Sequence, residues 1–374
     1  MPEKTPEQMR QGFLETAYVT SHSEFTVKTY NTSINKLRSF LDERYQYNEI
    51  QFVKEIINEN LNVYEILREY VVYIDKKGYK PRSIRAYLSG AKGYLRYIGV
   101  RINSDDFRQI VKIPKAMTNH EKALTKEILI RLLRVCHQKL QTSILVIVSS
   151  GLRIGELVQL RLDDIDFTSS PTKIRIRAET TKTRQGRETF ITVEATKALK
   201  DYLVSYFDWN EKGDNSHMNQ KPIFGRTSKG ETYDNQKNSG NRWASELSLQ
   251  QSLRTHVDKI PELNVKNEND RSLIHWHSFR KYFRTTVGNE VNRDFAEALM
   301  GHDFYMSTYY TLSEEKRREL YLKAEPELTI SDYQEVAKTF AILSEKHDYL
   351  SNKVDGMLDY FKTQGVKVPE SLLP

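Results

Sequence analysis

From residue 23 onward the chain sets apolar and aromatic side chains at helical intervals. In "SEFTVKTYNTSINKLRSFLDERY" they fall at Tyr30, Ile34, Leu37, Phe40 and Leu41, one stripe of an amphipathic helix. A second helix is predicted through "NVYEILREYVVYIDKKG", stopping near Gly78 and Pro81, and a third in "SIRAYLSGAKGYLRYIG". Residues 1–20 read as a short polar arm. The stretch "VKIPKAMTNHEKALTKE" is polar, basic and holds Pro114, so it reads as a linker with a domain boundary near residue 118. Thr125 is a candidate N-cap for the next helix, "KEILIRLLRVCHQKL".

Beyond that helix the period changes. In "TKIRIRAETTKTRQGRETFITV", Ile174, Ile176 and Ala178 alternate with Lys173, Arg175 and Arg177. After a Gly-containing turn, Thr189, Ile191 and Val193 alternate again, which is a hairpin signal. Residues 209–241 are rich in Asn, Gly, Ser and Lys and read as exposed loops around one short strand at "PIFG". Near the C-terminus, Val336, Phe340, Leu343, His347, Leu350, Val354, Met357 and Phe361 follow alternating steps of four and three. That is a heptad seam with one polar position, weakened by Gly356; it fits a coiled coil able to self-associate, or a single amphipathic helix docked on its own domain. The fold class predicted is mostly α, with a small β-sheet or hairpin in the second of two main domains.

Composition narrows the class. The chain has 374 residues, 38% of them hydrophobic, with a mean hydropathy of −0.65. No apolar run approaches the roughly 18 residues of a membrane span, and "MPEKTPEQMRQGF" lacks the apolar core of a signal peptide. The single cysteine, Cys136, excludes an internal disulfide and a paired-cysteine zinc site. These features predict a cytoplasmic protein. The net charge of +7 and a pI near 9.1 favour a polyanionic partner. The third helix carries Arg85, Lys92 and Arg96 beside Tyr87, Tyr94 and Tyr97. That interleaving suits a DNA-facing helix, and suits an ordinary helix with a solvated basic face equally well.

Three short segments carry candidate chemistry. In "SSGLRIGELVQLRL", Arg153 opens a helix just after Gly151 and stands three residues before Glu156; Leu152, Leu157 and Leu160 form the apolar side. In "HWHSFRKYFRTTVG", His277 and Arg280 are three apart and predicted to share a helix face. His275 makes an H-x-H with His277, but no third ligand of familiar spacing accompanies it, so no metal is expected. In "LMGH", Gly301 lets the backbone turn before His302, and Tyr309 and Tyr310 follow by seven and eight residues. With 22 tyrosines in the chain, neither would stand out alone. Together, two guanidiniums, two imidazoles and a phenol suit attack of the phenol on a phosphodiester. Arginines match the charge that builds on the non-bridging oxygens, and a histidine near neutrality can take the phenol proton.

The segments "GLRIGEL", "HSFR" and "LMGH" followed by Tyr, in that order, resemble the tyrosine recombinase (phage integrase) family. The resemblance implies four segments: an arm at 1–20, a helical core-binding (SAM-like) domain at 21–118, a catalytic domain at 119–328 and a helical tail at 329–374. It implies Arg153 and Arg280 as the catalytic arginines, with Glu156 beside the first. His277 and His302 would be the motif histidines, and Lys281 stands where the family often has His or Lys. The family also carries a general-acid lysine on a β-hairpin. Lys182 is the candidate, with Arg184 and Arg187 as rivals. "STYYT" aligns best if Tyr310 is the nucleophile, Tyr309 being the alternative, at a shorter spacing from His302 than is usual. The double tyrosine and long tail look most like archaeal or archaeal-virus integrases. The resemblance further implies double-stranded DNA as substrate, a homotetramer on two synapsed duplexes, and no cofactor, metal or ATP. A type IB topoisomerase, or a catalytically silent DNA-binding protein on the same fold, are the alternatives.

Overall fold

A computed structural model of the chain describes residues 5–58, 60–115, 123–207, 209–215, 221–224, 240–266, 272–301, 312–331 and 353–354, without the side chains of 57 and 240–245. The chain divides into two compact units, Met1–Asn119 and His120–Pro374.

The first unit is helical: α1 Pro6–Ser21, α2 Glu24–Tyr45, α3 Glu49–Ile57, α4 Val63–Lys76, α5 Pro81–Tyr97 and α6 Ser104–Ile110. The boundaries follow local chemistry. The Ser23 hydroxyl accepts the Thr26 N–H at 3.3 Å, Asn48 and Gln51 cap α3 reciprocally, and Pro81 occupies the first turn of α5. α2 and α5 approach most closely at Gly90, where a Cβ would stand 2.5 Å from the Ser33 hydroxyl. Ile34 and Leu37 of α2, Leu67 of α4 and Ile84, Ala91 and Tyr94 of α5 are fully buried in one cluster, the larger side chains contributing roughly 1.5–3 kcal/mol each. The segment read as a polar arm is instead α1. Phe13 and Ala17, one turn apart, are buried, and the Phe13 ring lies 5.6 Å from that of Tyr30 and 5.5 Å from that of Tyr94. Two apolar positions suffice to dock a helix whose other faces are polar.

The second unit runs α7 Lys126–Val135, α8 Gln138–Ser150, α9 Ile154–Leu157, β1 Ile165–Asp166, β2 Thr172–Ile176, β3 Arg187–Ile191, α10 Val193–Phe207, α11 Gly240–Asp258, α12 Trp276–Glu290, α13 Arg293–Met300 and α14 Glu314–Leu328. The three strands form one antiparallel sheet in the order β1-β2-β3. α8 runs through the core, buried from Thr142 to Ser150; the hydroxyls of Ser143, Ser149 and Ser150 bond back along the helix, as Ser143 does to the Lys139 carbonyl at 2.7 Å.

Several expectations change here. Thr125 caps α7, but the helix predicted through residue 140 breaks at Cys136, because the His137 ring accepts the Leu140 N–H and starts α8 afresh. β2 alternates as predicted, whereas Thr189, Phe190 and Ile191 of β3 are all buried. Both faces of that strand are covered: Ile191 joins the core around α8, and Phe190 joins a second cluster with Phe283, Phe295 and Tyr321. Ala178 belongs to a short helical turn, and Val193, 71% exposed, opens α10. At "PIFG" there is no extended strand but a single bridge, Arg161 with Pro222, burying Ile223 and Phe224. Of the heptad positions only Val354 falls among the described residues, and it is exposed. No helix among those residues is long and apolar enough to cross a membrane.

Candidate active site

Two helix ends and one strand converge in the second unit. α8 ends at Gly151, whose φ of 67° continues the chain in the left-handed region. A Cβ there would meet Phe283 at 2.4 Å, so glycine is required by both conformation and space. The next turn makes Arg153 the N-cap of α9. α13 ends the same way at Gly301, φ 65°. β3 enters from the side, its inner face formed by Arg187, Thr189 and Ile191 at a two-residue period. Thr189 donates its hydroxyl to the Ser150 carbonyl at 2.9 Å, which fixes the strand against the end of α8.

Glu156 is the hub. Its side chain is 2% exposed and each oxygen accepts two hydrogen bonds. One oxygen takes Arg153 NH1 at 2.9 Å and Arg187 NH1 at 3.0 Å. The other takes the Arg153 backbone N–H at 2.8 Å and Arg187 NH2 at 2.7 Å. Burial alone would raise its carboxyl pKa, but the Arg187 hydrogen bonds and charge, with the Arg153 N–H, hold it below the usual carboxylate range. Arg280, 2% exposed, donates to the carbonyls of Gly151 and Met300, the latter at 2.7 Å. Burial, with Arg153 and Arg187 nearby, pushes its guanidinium below its usual range. Among the described residues three guanidiniums thus lie near Glu156, and Glu297, which also acts on Arg280, is paired with Arg284 and Arg293. The excess positive charge reaches solvent mainly at Arg153, whose side chain is 28% exposed. Such a fixed, partly desolvated cluster is suited to a phosphate oxygen.

The other candidates stand differently. His277 is exposed in the first turn of α12, its ring centroid 6.4 Å from that of His275. Three-residue spacing predicts a shared face with Arg280. Both lie on α12, Arg280 one turn further along and buried, where it donates to the Gly151 and Met300 carbonyls. Lys281 is exposed on the same helix, and Lys182 is exposed in the connection between β2 and β3. The hairpin residue that enters the cluster is Arg187, a rival in the sequence reading. The two-residue period of Thr189 and Ile191, carried one step back, is the signal that would have put it on the core face. His302, Tyr309 and Tyr310 lie outside the described residues. The segment that holds them runs from Gly301 to Leu312, and α14 follows under a Ser313 cap. Lys173 reaches Glu314 at 3.1 Å, Arg317 reaches Glu188 at 2.9 Å, and Tyr321 donates to the Ser149 carbonyl at 2.8 Å. These contacts pin α14 to the hairpin and to the end of α8. In the first unit, Arg85 is exposed. Arg96 is tied to the Ile102 carbonyl at 2.7 Å, and Lys92 lies 4.3 Å from the Phe107 ring centroid. No cluster of three or more metal-ligating side chains occurs among the described residues.

Residues 101–317 match the phage integrase family, and the chain belongs to it. It is 33% identical over 111 residues to the tyrosine recombinase XerA of Thermococcus kodakarensis, covering 29% of this chain and 38% of that protein. It is 25% identical over 199 residues to XerA of Saccharolobus solfataricus, covering 51% of this chain and 62% of that one. The chain therefore spans less than two thirds of the length of these relatives. Among solved structures, a lambda integrase tetramer bound to a Holliday junction shares the fold. Its TM-score is 0.51 at 12% identity, over 84% of this chain and 81% of that one.

Proposed function

We propose that the chain is a site-specific DNA recombinase of archaeal or archaeal-virus type. It cuts and rejoins double-stranded DNA through a 3′-phosphotyrosyl intermediate. The observation that carries this reading is the Glu156 hub, which holds Arg153 by one guanidinium nitrogen and leaves the site with excess positive charge. Family membership and the names of the relatives support it.

In this reading Tyr310 attacks the scissile phosphorus, with Tyr309 as the alternative. Its oxygen bonds to phosphorus as the bond to the 5′-oxygen breaks. The phenol proton passes to a histidine, His277 or His302, and the 5′-oxygen takes a proton from Lys182, which the exposed hairpin connection leaves able to approach DNA. Arg153 and Arg280 neutralise the charge on the non-bridging oxygens. Lys281 is a supporting charge. The phosphodiester energy is kept in the protein–DNA bond, so a partner 5′-hydroxyl reverses the step without ATP or cofactor. Arg85, Lys92 and Arg96 would contact the DNA backbone from the first unit. Four protomers on two duplexes is the assembly proposed, with the tail as a candidate for self-association and the cytoplasm as the setting.

Covalent trapping tests this. Wild type, Tyr309→Phe and Tyr310→Phe are incubated with a library of nicked duplexes drawn from the DNA flanking the coding sequence. A denaturant-resistant protein–DNA band lost only in Tyr310→Phe is expected. Loss only in Tyr309→Phe moves the nucleophile by one residue. A wild type that binds a duplex without forming the band would make this a DNA-binding protein on the recombinase fold.

A further inference from the structure

Arg187 has no assigned role in the reaction above, yet every nitrogen of its guanidinium is engaged. Its Nε donates to the Leu299 carbonyl at 2.8 Å, and its two terminal nitrogens take one oxygen each of Glu156. The side chain is 9% exposed, against 28% for Arg153, and all three of its guanidinium nitrogens already donate to protein acceptors. Its root is fixed by the pairing of Arg187 with Ile176 across the hairpin. On its other side it packs against Gly301, where a Cβ would come within 2.7 Å of its Cδ.

Stability does not explain such a residue, because a buried ion pair adds little over a well-packed apolar side chain. Geometry does. A carboxylate offers about four acceptor sites. Arg187 fills one on each oxygen, and Arg153 fills the remaining two with its backbone N–H and a single guanidinium nitrogen. With Arg187 removed, Glu156 would have two vacant sites and one neighbouring fork to fill them. Arg153 would be drawn into a bidentate pair, turning its donors away from the substrate and cancelling its charge.

We infer that Arg187 is a positioning residue for strand cleavage. It acts through Glu156 to hold Arg153 with its remaining donors outward, and through the Leu299 carbonyl to fix the turn that precedes His302. The inference rests on the recombinase reading.

The test is single-turnover cleavage of a nicked duplex that the wild type selects from the flanking-DNA library. DNA affinity and melting temperature are measured alongside. Arg187→Lys keeps the charge and loses the fork. Cleavage should slow about 100-fold, the order expected of a misplacement near 1 Å, with DNA affinity held within about threefold because phosphate neutralisation is untouched. In a Glu156→Gln background the same substitution should cost less than about threefold, since the contact it acts through is already impaired. Cleavage of Arg187→Lys at the wild-type rate per folded molecule, with only the melting temperature lowered, would reduce Arg187 to a structural role and overturn the inference. So would an undiminished loss in the Glu156→Gln background, which would mean that Arg187 touches DNA itself. If Arg187→Lys does not fold, Glu156→Gln alone must show slow cleavage at unchanged affinity, and wild-type cleavage by that variant overturns the inference. A wild type that binds but forms no adduct removes the recombinase reading and this inference with it.

Discussion

Glu49 in the helical unit and Glu156 in the other are each buried in a charged network, and these two networks have opposite composition. In the helical unit, Arg38 lies between Glu49 and Glu7, with the Tyr94 hydroxyl donating to Glu49 at 2.7 Å. One guanidinium serves two carboxylates, and burial together with the Glu49 contact raises the Tyr94 phenol pKa. In the other unit, one carboxylate, Glu156, serves two guanidiniums with a third behind them. The first arrangement leaves no positive charge over and joins α1, α2, α3 and α5. The second leaves positive charge over, beside a partly exposed arginine. Burying uncancelled charge costs stability, and it persists where an anion is to be received. Stoichiometry, rather than the mere presence of buried ions, separates a structural network from a functional one.

The comparison breaks first at Arg280. Arg280→Ala orphans the Gly151 and Met300 carbonyls, at about 1–3 kcal/mol each. A loss of about 2–6 kcal/mol by urea denaturation is expected, together with loss of the covalent adduct. A loss smaller than that of Tyr94→Phe would contradict the assigned roles. Tyr94→Phe removes one hydrogen bond to a charged group and should cost about 1.5–3 kcal/mol, with cleavage per folded molecule unchanged.

Acid tests the Glu156 network more gently. The Glu156 carboxyl has a folded pKa below its ordinary value of 4.5. Its ion pairs therefore contribute fully above that value and are lost as the pH falls through the lower folded one. Between about pH 5 and pH 3 the wild-type melting temperature should fall more steeply than that of Glu156→Gln. Parallel curves would show that the carboxylate is not held by its arginines.

The smallest effects lie on the surface of the helical unit. Arg85→Ala should lower the slope of log K for DNA against log salt by about 0.9. Arg96→Ala loses its bond to the Ile102 carbonyl, at roughly 1 kcal/mol, and should change that slope less. An unchanged slope for Arg96→Ala would take Arg96 off the DNA backbone and leave it a structural role alone.

Much of the fold could be read locally. Ser23, Thr125 and Ser313 cap the helices that follow them, and the stripes through α2, α4 and α5 mark the buried faces. The order of "GLRIGEL" and "HSFR" supplied Arg153, Glu156, His277 and Arg280 as candidates. α1 escaped because only two of its positions are buried, and the helix break at His137 because a histidine ring served as the cap.

What the sequence by itself determined was which faces would be covered, since apolar periodicity is a property of neighbours along the chain. What covers them was decided in three dimensions. Arg187 meets Glu156 across 31 positions and Arg280 meets Gly151 across 129. A strand period places Arg187 inside but is silent about the carboxylate waiting there. A three-residue spacing aligns His277 with Arg280, yet the end of α12 leaves one in solvent while the body of the helix carries the other beneath two carbonyls. Hydrogen bonds to buried charge are made at a distance in sequence, so only the tertiary structure could choose Arg187 rather than Lys182 as the hairpin residue that enters the arginine cluster.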